Sequence, residues 1–364
     1  MLSTSGDPIH IIEPTLRDEA GHCHSLIASL AACNHRPSLV VWTDKQIQLS
    51  LLALLPALKV QPYFSRRLRR IQSFFLFRHL LKQSGKIFVS TAGRADLQLM
   101  DWAAGNRKFR NKIFFYVHWL DLSAEKIYRL KKIAQRHPEF NLFATTGSAA
   151  ASLRACGFIS VKQISYPVAA SATAAHDSDF RHVLLAGAAR QDKGIIQVID
   201  YIEYLYKSGL RIPIAVQTSA EHYGKMDAAT RAIISRLDAI DYAPLIRQRQ
   251  TLSTTDYRAM FAGAICLQPY DPADFADRVS GVTLDALRAG APLITTDHTW
   301  MANVVKRFEA GLVLPDRSAP SIHQAVEKIR ARYRDYQKNA RRAGQVLESE
   351  NSAQHLMDAI TAVN

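Results

Sequence analysis

The sequence predicts an α/β protein with two parallel-sheet domains, and three observations support this fold class. The chain has 364 residues, more than one hydrophobic core usually organises. Short apolar stretches alternate with helical patterns along it, which is typical of parallel strands joined by crossover helices. The alternation is interrupted at residues 168–179, where small and polar residues show no periodic apolar face. We therefore expect two Rossmann-like domains on either side of a hinge.

The predicted domain boundaries follow from this interruption. Residues 1–167 should form the N-terminal Rossmann-like domain, residues 168–180 the hinge, and residues 181–345 the second Rossmann-like domain. Two such domains facing each other would leave a central cleft. A cleft between domains is a usual site for a substrate.

Each predicted domain contains a series of candidate strands that end in or near polar or small residues. In the first half these strands are Ile9–Glu13, Ser38–Trp42, Lys86–Ser90, Ile113–His118 and Leu142–Thr145. The second half restarts the series with His182–Ala186, Ile212–Gln217, Ala264–Gln268 and Leu293–Thr296. Because open α/β sheets bind their ligands beyond the carboxyl ends of the strands, functional residues are expected directly after them.

Composition argues against several other classes of protein. The apolar fraction is 48%, which permits full cores, but no apolar run is long enough to cross a membrane. The N-terminus has an acidic residue and no basic region ahead of a long apolar one, unlike a secretory signal. The four cysteines lie far apart without C-x-x-C spacing, which argues against a zinc site and a disulfide framework. We expect a cytoplasmic protein with reduced cysteines.

The segment DRVSGVTLDALRAGAPLITT, residues 277–296, carries the most specific functional pattern in the chain. A short helix is predicted from Val282, directly after the Ser280-Gly281 turn, and Gly290 is expected to end it. The N-terminus of a helix offers unpaired N–H groups and a positive dipole end, and Gly281 would let a ligand approach the backbone closely. These features suit a diphosphate.

Two carboxylates accompany this turn. Asp285, one turn inside the predicted helix, is a candidate acceptor of hydrogen bonds from two ribose hydroxyls, and Asp277 could hold sugar hydroxyls. Taken alone, two acidic residues eight positions apart beside a glycine are also compatible with a solvated helix start.

The spacing of Asp277 and Asp285 resembles the E-x7-E segment of the retaining glycosyltransferases of family 4, which have the GT-B fold. That family usually has glutamate at both positions, and an aspartate reaches roughly 1.5 Å less far. Residues 144–158, 164–168 and 182–194 also resemble family segments, in the family's order. The resemblance covers most of the chain and implies a GT-B fold.

Residues 182–194, HVLLAGAARQDKG, resemble the family's strand followed by G-R-x-x-x-x-K-G, whose arginine and lysine hold the donor diphosphate. Lys193 matches the lysine, the arginine position is Ala188 here, and the nearest guanidinium is that of Arg190. The resemblance implies that Arg190 and Lys193 form the phosphate clamp. The alternative is two solvated loop cations.

Two positions in the first domain are less specific candidates. Gly21, in the loop after the first strand, either binds phosphate or acceptor through backbone N–H groups or simply turns the chain. His118 follows a strongly apolar strand, where family members often place a histidine facing the donor sugar. The alternative for His118 is a structural histidine.

The resemblance implies transfer of a sugar from a nucleotide-sugar donor to an acceptor hydroxyl, with retention at the anomeric carbon and without a cofactor. It assigns catalytic roles to His118, Arg190, Lys193 and Asp277, and donor contacts also to Gly21, Ser280, Gly281, Val282, Thr283 and Asp285. No metal is expected, because the only D-x-D pattern, residues 177–179, lies in the predicted hinge. By analogy with GT-B proteins, residues 346–364 should form a helix that crosses back to the first domain.

The net charge of +14 is unevenly distributed. No carboxylate occurs from Lys45 to Ala95, and a helix within this stretch would have Phe64, Leu68, Ile71 and Phe75 on one face and Arg66, Arg69, Arg70 and Ser73 on the other. Through Phe64, Leu68, Arg66, Arg67, Arg69 and Arg70 such a helix could bind an anionic membrane surface on the inner face of the cell membrane. It would then meet a lipid-linked or other glycan acceptor. The alternative is an ordinary packed helix with a basic outer face.

Two other functions remain open from the sequence. The basic charge is compatible with a nucleic-acid-binding module. Nucleic acid is not the expected partner, because no recognised nucleic-acid motif occurs and the basic run lies outside the predicted cleft. The departures at Ala188, Asp277 and Asp285 are compatible with a GT-B protein that has lost turnover. Binding and turnover of a nucleotide-sugar separate these alternatives.

Overall fold

The computed structural model describes residues 7–18, 22–33, 37–48, 58–118, 120, 123–167, 178–218, 228–250 and 252–362. The chain divides into two compact units. The first contains Met1–Ala170 together with Glu350–Asn364, and the second contains Ser171–Ser349. Most of the predicted hinge, residues 168–177, lies outside the described residues.

Parallel strands form the sheet of the first unit. Within the described residues they are β1 (Ile9–Ile12), β2 (Leu39–Asp44), β3 (Leu58–Phe64), β4 (Lys86–Ala92), β5 (Ile113–Val117), β6 (Asn141–Ala144) and β7 (Val161–Gln163), in the spatial order β3-β2-β1-β4-β5-β6-β7. The chain builds outward from β1 to β3 and then returns to start β4 on the other side of β1. The boundary between β1 and β4 is therefore the topological switch point of this sheet.

Helices cover both faces of the first sheet. They are α1 (His22–Ala31), α2 (Arg69–Leu80), α3 (Arg94–Ala104), α4 (Ala124–Arg136), α5 (Gly147–Ala155) and, from the C-terminus, α14 (Ala353–Thr361). One core packs α2 to α5 against the sheet, and a second core packs α1 and α14 against the opposite face. Strand β5 serves both cores, because successive side chains point to opposite faces, and it therefore reads as a continuous apolar run.

The second unit repeats this architecture. Its described strands are β8 (His182–Leu185), β9 (Ile214–Gln217), β10 (Leu245–Gln248), β11 (Ala264–Gln268), β12 (Leu293–Thr296) and β13 (Gly311–Leu314), all parallel, in the order β10-β9-β8-β11-β12-β13. Here the switch point lies between β8 and β11. The chain again leaves two neighbouring strands in opposite directions. The loops that follow these strands therefore border one crevice.

The described helices of the second unit lie between and after its strands along the chain. They are α6 (Ile195–Lys207), α7 (Ala228–Asp238), α8 (Thr254–Ala259), α9 (Pro272–Phe275), α10 (Gly281–Arg288), α11 (Trp300–Phe308), α12 (Ala319–Ala331) and α13 (Tyr333–Glu350), with a 3-10 turn at Gln191–Lys193 before α6. The predicted helix after the Ser280-Gly281 turn is thus α10.

Strands β3, β7 and β10 were not predicted from the sequence. All three lie at edges of their sheets, and their residues LKVQPYF, VKQ and LIRQ are only partly buried. An edge strand has one neighbour and a solvated side, so it lacks the continuous apolar run of a central parallel strand.

The basic segment of the first unit folds differently from the single helix expected. Phe64 ends strand β3 and is 0% exposed, so its predicted membrane contact is wrong. Helix α2 begins only at Arg69, and Ser73 is buried in the core instead of standing with the arginines. No helix in the described part of the chain is long and apolar enough to cross a bilayer.

Candidate functional site

The predicted donor residues of the second unit gather at the carboxyl edge of its sheet, beside the β8/β11 switch point. The loop after β8 carries Arg190 and Lys193, and the segment after β11 carries Asp277 and the start of α10. These two loops follow neighbouring strands. Ligands of open α/β sheets bind in such a place because the two loops diverge there and expose backbone groups.

The loop after β8 contacts the first turn of α10. Gly187 has a φ of +83°, which favours glycine. A Cβ added to it would lie 3.2 Å from both Lys193 Nζ and Val282 Cγ2. The N–H of Gly187 donates to Gln217 Oε1 at 2.6 Å. Lys193 and Val282 are far apart in the sequence, but both side chains therefore lie next to Gly187.

A second glycine locks the two loops together. Gly194 has a φ of +75°, and a Cβ there would lie 2.3 Å from the carbonyl oxygen of Pro269, which follows β11. The backbone N–H of Asp271 donates to the carbonyl oxygen of Asp192 at 2.9 Å. These contacts fix the position of Lys193 relative to the segment after β11.

The start of α10 is a capped and open helix N-terminus. The hydroxyl of Ser280 accepts a hydrogen bond from the N–H of Thr283 at 3.4 Å, and the hydroxyl of Thr283 donates to Gln268 Oε1 at 2.8 Å. Gly281 is exposed, and no atom lies within 4 Å of a Cβ built on it. The first turn is therefore held rigidly while its surface at Gly281 stays open to a ligand.

The ammonium group of Lys193 is the central charge of this site. Its Nζ lies 5.6 Å from the centroid of the Tyr270 ring. Burial, helped by the positive charges of Arg190 and Arg278, lowers the pKa of Lys193 to about 8, while Asp192 acts in the opposite direction. An anion bound here would compensate a charge that the protein itself compensates only in part.

Arg190 lies close to Lys193 but is engaged by a neighbouring carboxylate. Its Nε donates to Asp192 Oδ1 at 2.9 Å, and its Nη2 contacts Asp192 Oδ2. This bidentate pair holds the guanidinium within its own loop.

The two predicted carboxylates occupy different surroundings. Asp285 is half-buried on α10 and accepts a hydrogen bond from the hydroxyl of Tyr257 at 3.2 Å. Burial raises the pKa of Asp285, and Arg288 partly opposes the shift. Asp277 is half-buried in the turn between α9 and α10. Both carboxylates thus lie on the segment that carries the open helix N-terminus.

His118 belongs to a separate cluster at the switch point of the first sheet. Its Nε2 lies 2.9 Å from the carbonyl oxygen of Ser90, and its ring packs edge-on against Tyr116 and Tyr166. The hydroxyl of Ser90 donates to the carboxylate of Glu13 at 2.8 Å. This cluster lies in the first unit, whereas the other described candidates for donor binding lie in the second. Gly21 lies outside the described residues.

Glu13 is the centre of the first-sheet cluster. It is 1% exposed and accepts hydrogen bonds from the hydroxyls of Thr15, Ser90 and Thr91 at 2.5, 2.8 and 2.6 Å. Three hydroxyl donors satisfy a buried carboxylate, which would otherwise be very costly to desolvate. Sequence reasoning missed Glu13, although an acidic residue at the end of an apolar strand was a signal for it.

Sequence reasoning also missed Tyr257, Tyr270 and Arg278. Tyr257 reaches Asp285 from α8, and Tyr270 lies beneath Lys193. Only folding brings α8 beside α10, so no local pattern pointed to Tyr257. Arg278 directly follows Asp277 in the sequence. A cation next to a predicted ligand-binding residue was a signal that could have identified it.

The exposed face of α2 carries both apolar and basic side chains. Leu68, Ile71 and Phe75 are 52%, 59% and 59% exposed. They lie opposite the buried face formed by Ser73, Leu76, Phe77 and Leu80. The predicted cations Arg66, Arg67, Arg69 and Arg70 are all exposed beside them. Helix α2 therefore has a second apolar face that the described part of the first unit leaves uncovered.

Within the described residues, no group of three or more histidine, cysteine, aspartate or glutamate side chains is arranged to hold a metal ion. None of the four cysteines forms a disulfide bond, and two of them, Cys156 and Cys266, are buried.

Comparison with known proteins shows the fold. No model of a protein family matches the chain, and no curated protein matches it by sequence. Among solved structures, sucrose-phosphate synthase from Thermosynechococcus elongatus matches with a TM-score of 0.72 and 16% identity, covering 98% of both chains. HepE from Anabaena, solved in complex with UDP and glucose, matches with a TM-score of 0.68 and 12% identity, covering 99% of this chain and 100% of that one.

A third solved structure is WaaG, a glycosyltransferase involved in lipopolysaccharide biosynthesis. It matches with a TM-score of 0.64 and 13% identity, covering 97% of this chain and 99% of that one. These similarities confirm the predicted fold class: the chain has two parallel-sheet α/β units and the GT-B fold.

Proposed function

We propose that this protein is a retaining glycosyltransferase that binds a nucleotide-sugar at the carboxyl edge of its second sheet. The acceptor in this proposal is a hydroxyl of a glycan or lipid-linked glycan, presented at an anionic membrane on the cytoplasmic side. The fold supports the proposal, since HepE is a structural neighbour that was solved with UDP and glucose.

One observation carries the proposal. The ammonium group of Lys193 and the open N-terminus of α10 meet across Gly187, at the switch point of the sheet. A lysine and a helix N-terminus that converge on the same space favour a phosphate group. Asp285 lies one turn further along the same helix, and its carboxylate would accept hydrogen bonds from the hydroxyls of a ribose attached to that phosphate.

The proposed chemistry is electrostatic. As the sugar leaves, negative charge builds on the departing diphosphate, and Lys193 with the N–H groups of Gly281, Val282 and Thr283 would stabilise that charge. Asp277 would hold hydroxyls of the donor sugar, and His118 is kept in this proposal as the sugar-contacting histidine that the family resemblance implies. The leaving phosphate would help to deprotonate the acceptor, so no covalent side-chain nucleophile is assigned.

Metal independence is part of this proposal, because the cations and amides at the site would perform the charge neutralisation. Turnover should therefore persist in excess EDTA. A loss of turnover in EDTA that added Mg²⁺ or Mn²⁺ restores would contradict this part of the proposal and leave donor binding to be judged separately.

The membrane contact is supported by charge as well as by the exposed face of α2. Residues 58–136 contain 18 lysine and arginine residues but only four aspartate and glutamate residues. Helices α2, α3 and α4 lie in this range, and Trp102 on α3 is 60% exposed. Exposed apolar and aromatic side chains among cations favour the interface of an anionic bilayer.

A ligand screen tests the donor site. Thermal unfolding should be measured with UDP, GDP, ADP and their sugars, for the wild type and for Asp285→Ala and Lys193→Ala. We expect one nucleotide series to stabilise the wild type and to lose its effect in both variants. Stabilisation that survives both substitutions would place the site elsewhere.

The same screen separates the alternative functions. A protein that has lost turnover would bind the nucleotide-sugar without releasing nucleotide, whereas a nucleic-acid-binding module would not respond to any nucleotide-sugar. Retention is tested by NMR, since the anomeric configuration of the first product should equal that of the donor.

Sedimentation with liposomes tests the membrane contact. Each cation near an anionic surface contributes about 1 kcal/mol. Changing Arg66, Arg67, Arg69 and Arg70 together to glutamine should therefore weaken binding to phosphatidylglycerol vesicles roughly 100-fold or more. The matched control changes four exposed cations of the second unit, Arg330, Arg332, Arg334 and Lys338. Equal losses in both variants would contradict a specific role for α2.

A further inference from the structure

One side-chain hydrogen bond joins the two short helices α8 and α10 of the second unit. The hydroxyl of Tyr257, on α8, donates to Oδ2 of Asp285, on α10, at 3.2 Å. Helix α8 precedes strand β11 in the chain, and α10 follows it. The bond therefore connects the segments on either side of a strand that borders the switch point.

Tyr257 is the donor in this pair. Burial and the carboxylate of Asp285 raise the pKa of Tyr257 well above its ordinary value, so the phenol keeps its proton. The Tyr257 ring packs edge-on against Phe261, with the ring centroids 5.2 Å apart. Since Phe261 is 1% exposed, the hydroxyl is presented to Asp285 by a ring that rests on the core.

The carboxylate of Asp285 has capacity for further hydrogen bonds. An ionised carboxylate can accept about four of them. In the described part of the chain the side chain of Asp285 accepts only the bond from Tyr257, which leaves Oδ1 without one. The carboxylate of Glu13, at the switch point of the first sheet, accepts from three hydroxyls. Asp285 therefore retains an oxygen that hydroxyls of a ligand can use.

The cations near Asp285 do not replace this contact. Arg288 and Arg258 lower the pKa of Asp285, against the larger effect of burial. Among the described residues neither arginine forms an ion pair with Asp285, and Nε of Arg288 lies 3.8 Å from Oε2 of Glu348. A neutral phenol, not a cation, is thus the group that directly contacts this carboxylate.

The short side chain at position 285 increases the value of such a contact. An aspartate reaches roughly 1.5 Å less far than the glutamate usual in the resembling family. Two neighbouring hydroxyls of a ribose need acceptors at defined positions, and a carboxylate held at one oxygen presents the other in a fixed direction. A side chain that is ordered before binding also loses less conformational freedom when the ligand arrives.

We propose that Tyr257 is a positioning residue of the donor site, whose hydroxyl holds Oδ2 of Asp285 so that the carboxylate accepts hydrogen bonds from the ribose hydroxyls of a nucleoside diphosphate. The pair thereby lets the site distinguish a ribose from a sugar that lacks these hydroxyls. The inference rests on the proposed function, because it concerns the ribose of the same donor. Tyr257 itself does not contact the ligand and acts only through Asp285.

Titration calorimetry with matched nucleotides tests this assignment. UDP, GDP and ADP are each compared with their 2′,3′-dideoxy forms, for the wild type, Tyr257→Phe, Asp285→Ala and the double variant, with weak binders measured at higher nucleotide concentrations. The control is Tyr242→Phe, which changes a tyrosine of the same unit whose hydroxyl bonds to the backbone of Leu210 and Ile212. Thermal unfolding of each variant without ligand shows whether it is folded.

We expect the wild type to bind one of the three diphosphates about tenfold or more tightly than its dideoxy form, since the bonds to a charged acceptor are lost. Tyr257→Phe should weaken the ribonucleotide about threefold or more and leave the dideoxy form unchanged. Asp285→Ala should abolish the difference between the two nucleotides. Tyr242→Phe should keep the wild-type ratio of affinities even if it lowers the unfolding temperature.

The double variant supplies a readout that a merely structural role would not give. If Tyr257 acts only through Asp285, Tyr257→Phe should have no further effect on nucleotide affinity once residue 285 is changed to alanine. A further loss of affinity in the double variant would contradict the inference, because Tyr257 would then support the site by another route.

The outcomes distinguish the inference from the proposed function. If Tyr257→Phe keeps the wild-type preference for the ribonucleotide while Asp285→Ala loses it, the role of Tyr257 is wrong and the donor site stands. Equal weakening of the ribonucleotide and the dideoxy form by Tyr257→Phe also contradicts a role through the ribose. If the wild type binds none of the three diphosphates, the proposed function fails and the inference fails with it.

Discussion

At the switch point of the first sheet a buried carboxylate, Glu13, is surrounded by hydroxyl donors, whereas at the switch point of the second sheet Lys193 stands among other cations. The two sheets follow the same rule of strand order, so the topology creates a comparable place at both edges. The first place is satisfied by the protein's own Thr15, Ser90 and Thr91. The second retains positive charge that the protein compensates only in part.

The net charges of the two units show the opposite order, because the unit with the carboxylate at its switch point is the more basic one. The first unit has 23 lysine and arginine residues against 12 aspartate and glutamate residues, a net charge of +11. The second unit has 23 against 20, a net charge of +3. The more basic unit thus exposes most of its described cations, whereas the nearly neutral unit places a few beside the N-terminus of α10. Position and burial, not charge count, locate the proposed anion site.

Removal of the central cation should have the largest effect. We expect Lys193→Gln to lower kcat about 10²–10³-fold, the usual result of removing one positioned donor for developing negative charge. Steady-state turnover of the nucleotide-sugar found in the screen measures it. Lys207→Gln, which changes an exposed lysine of α6, is the control. Full activity of Lys193→Gln would contradict the proposal that the partly compensated charge at the edge of the second sheet binds the donor.

Two glycines offer a matched test of the open helix N-terminus. Gly281 begins α10 after the capping residue Ser280, and Gly147 begins α5 after the capping residue Thr146, with the same cap distance of 3.4 Å in each. Because nothing lies near a Cβ at Gly281, Gly281→Ala should fold normally. It should nevertheless weaken nucleotide binding about tenfold or more, since the new methyl group occupies the space proposed for the diphosphate.

Gly147→Ala is the corresponding change in the first unit and should leave nucleotide affinity unaltered. Thermal unfolding and calorimetry on both variants measure stability and affinity separately. Nucleotide binding that is equally strong in both variants would mean that the start of α10 does not contact the ligand.

The pKa of Lys193 predicts how nucleotide affinity depends on pH. Since the pKa lies at about 8 in the free protein, the lysine is charged below that value, and affinity should be constant there. Above pH 8 affinity should fall by up to about tenfold per pH unit, as the ligand must restore the lost proton. Lys193→Arg, whose guanidinium keeps its charge, should give a flat profile; a parallel decline in this variant would assign the titration to another group.

The lowered pKa of Lys193 has opposite effects at alkaline pH: it weakens nucleotide binding and stabilises the unliganded protein. Folding lowers the pKa of Lys193 from its ordinary value of 10.5 to about 8. The unfolded chain therefore binds more protons between these values, and the contribution to the free energy of unfolding increases as the pH rises from 8 to 10.5.

The smallest effect on ligand binding is expected at the first edge. Glu13→Gln replaces a carboxylate that accepts from three hydroxyls, and we expect it to lower the free energy of unfolding by about 1–3 kcal/mol. Nucleotide affinity should not change. Urea unfolding and calorimetry measure the two quantities. Unchanged stability with lost affinity would show that Glu13 serves a ligand and that the two edges are more alike than their contacts indicate.

The fold class and the segment proposed to carry the candidate site were predictable from the sequence alone. Central strands such as β5 and β11 are buried on both faces, so their continuous apolar runs are visible without a structure. The turn, the helix and the helix end within residues 280–290 depend on local backbone preferences. They could therefore also be predicted without a structure. Edge strands β3, β7 and β10 were missed, because a half-exposed strand has no such signal.

Which side chains meet could not be predicted, because the contacts join segments that are remote along the chain. The pairing of Arg190 with Asp192, the approach of Tyr257 to Asp285, and the position of Arg278 near Lys193 depend on how loops leave neighbouring strands. The placement of Phe64 in the core is a further example, since its apolar character fits a membrane-facing helix and a buried strand equally well. Local sequence records the preference of each segment, whereas charge compensation and burial depend on distances between segments that are remote along the chain.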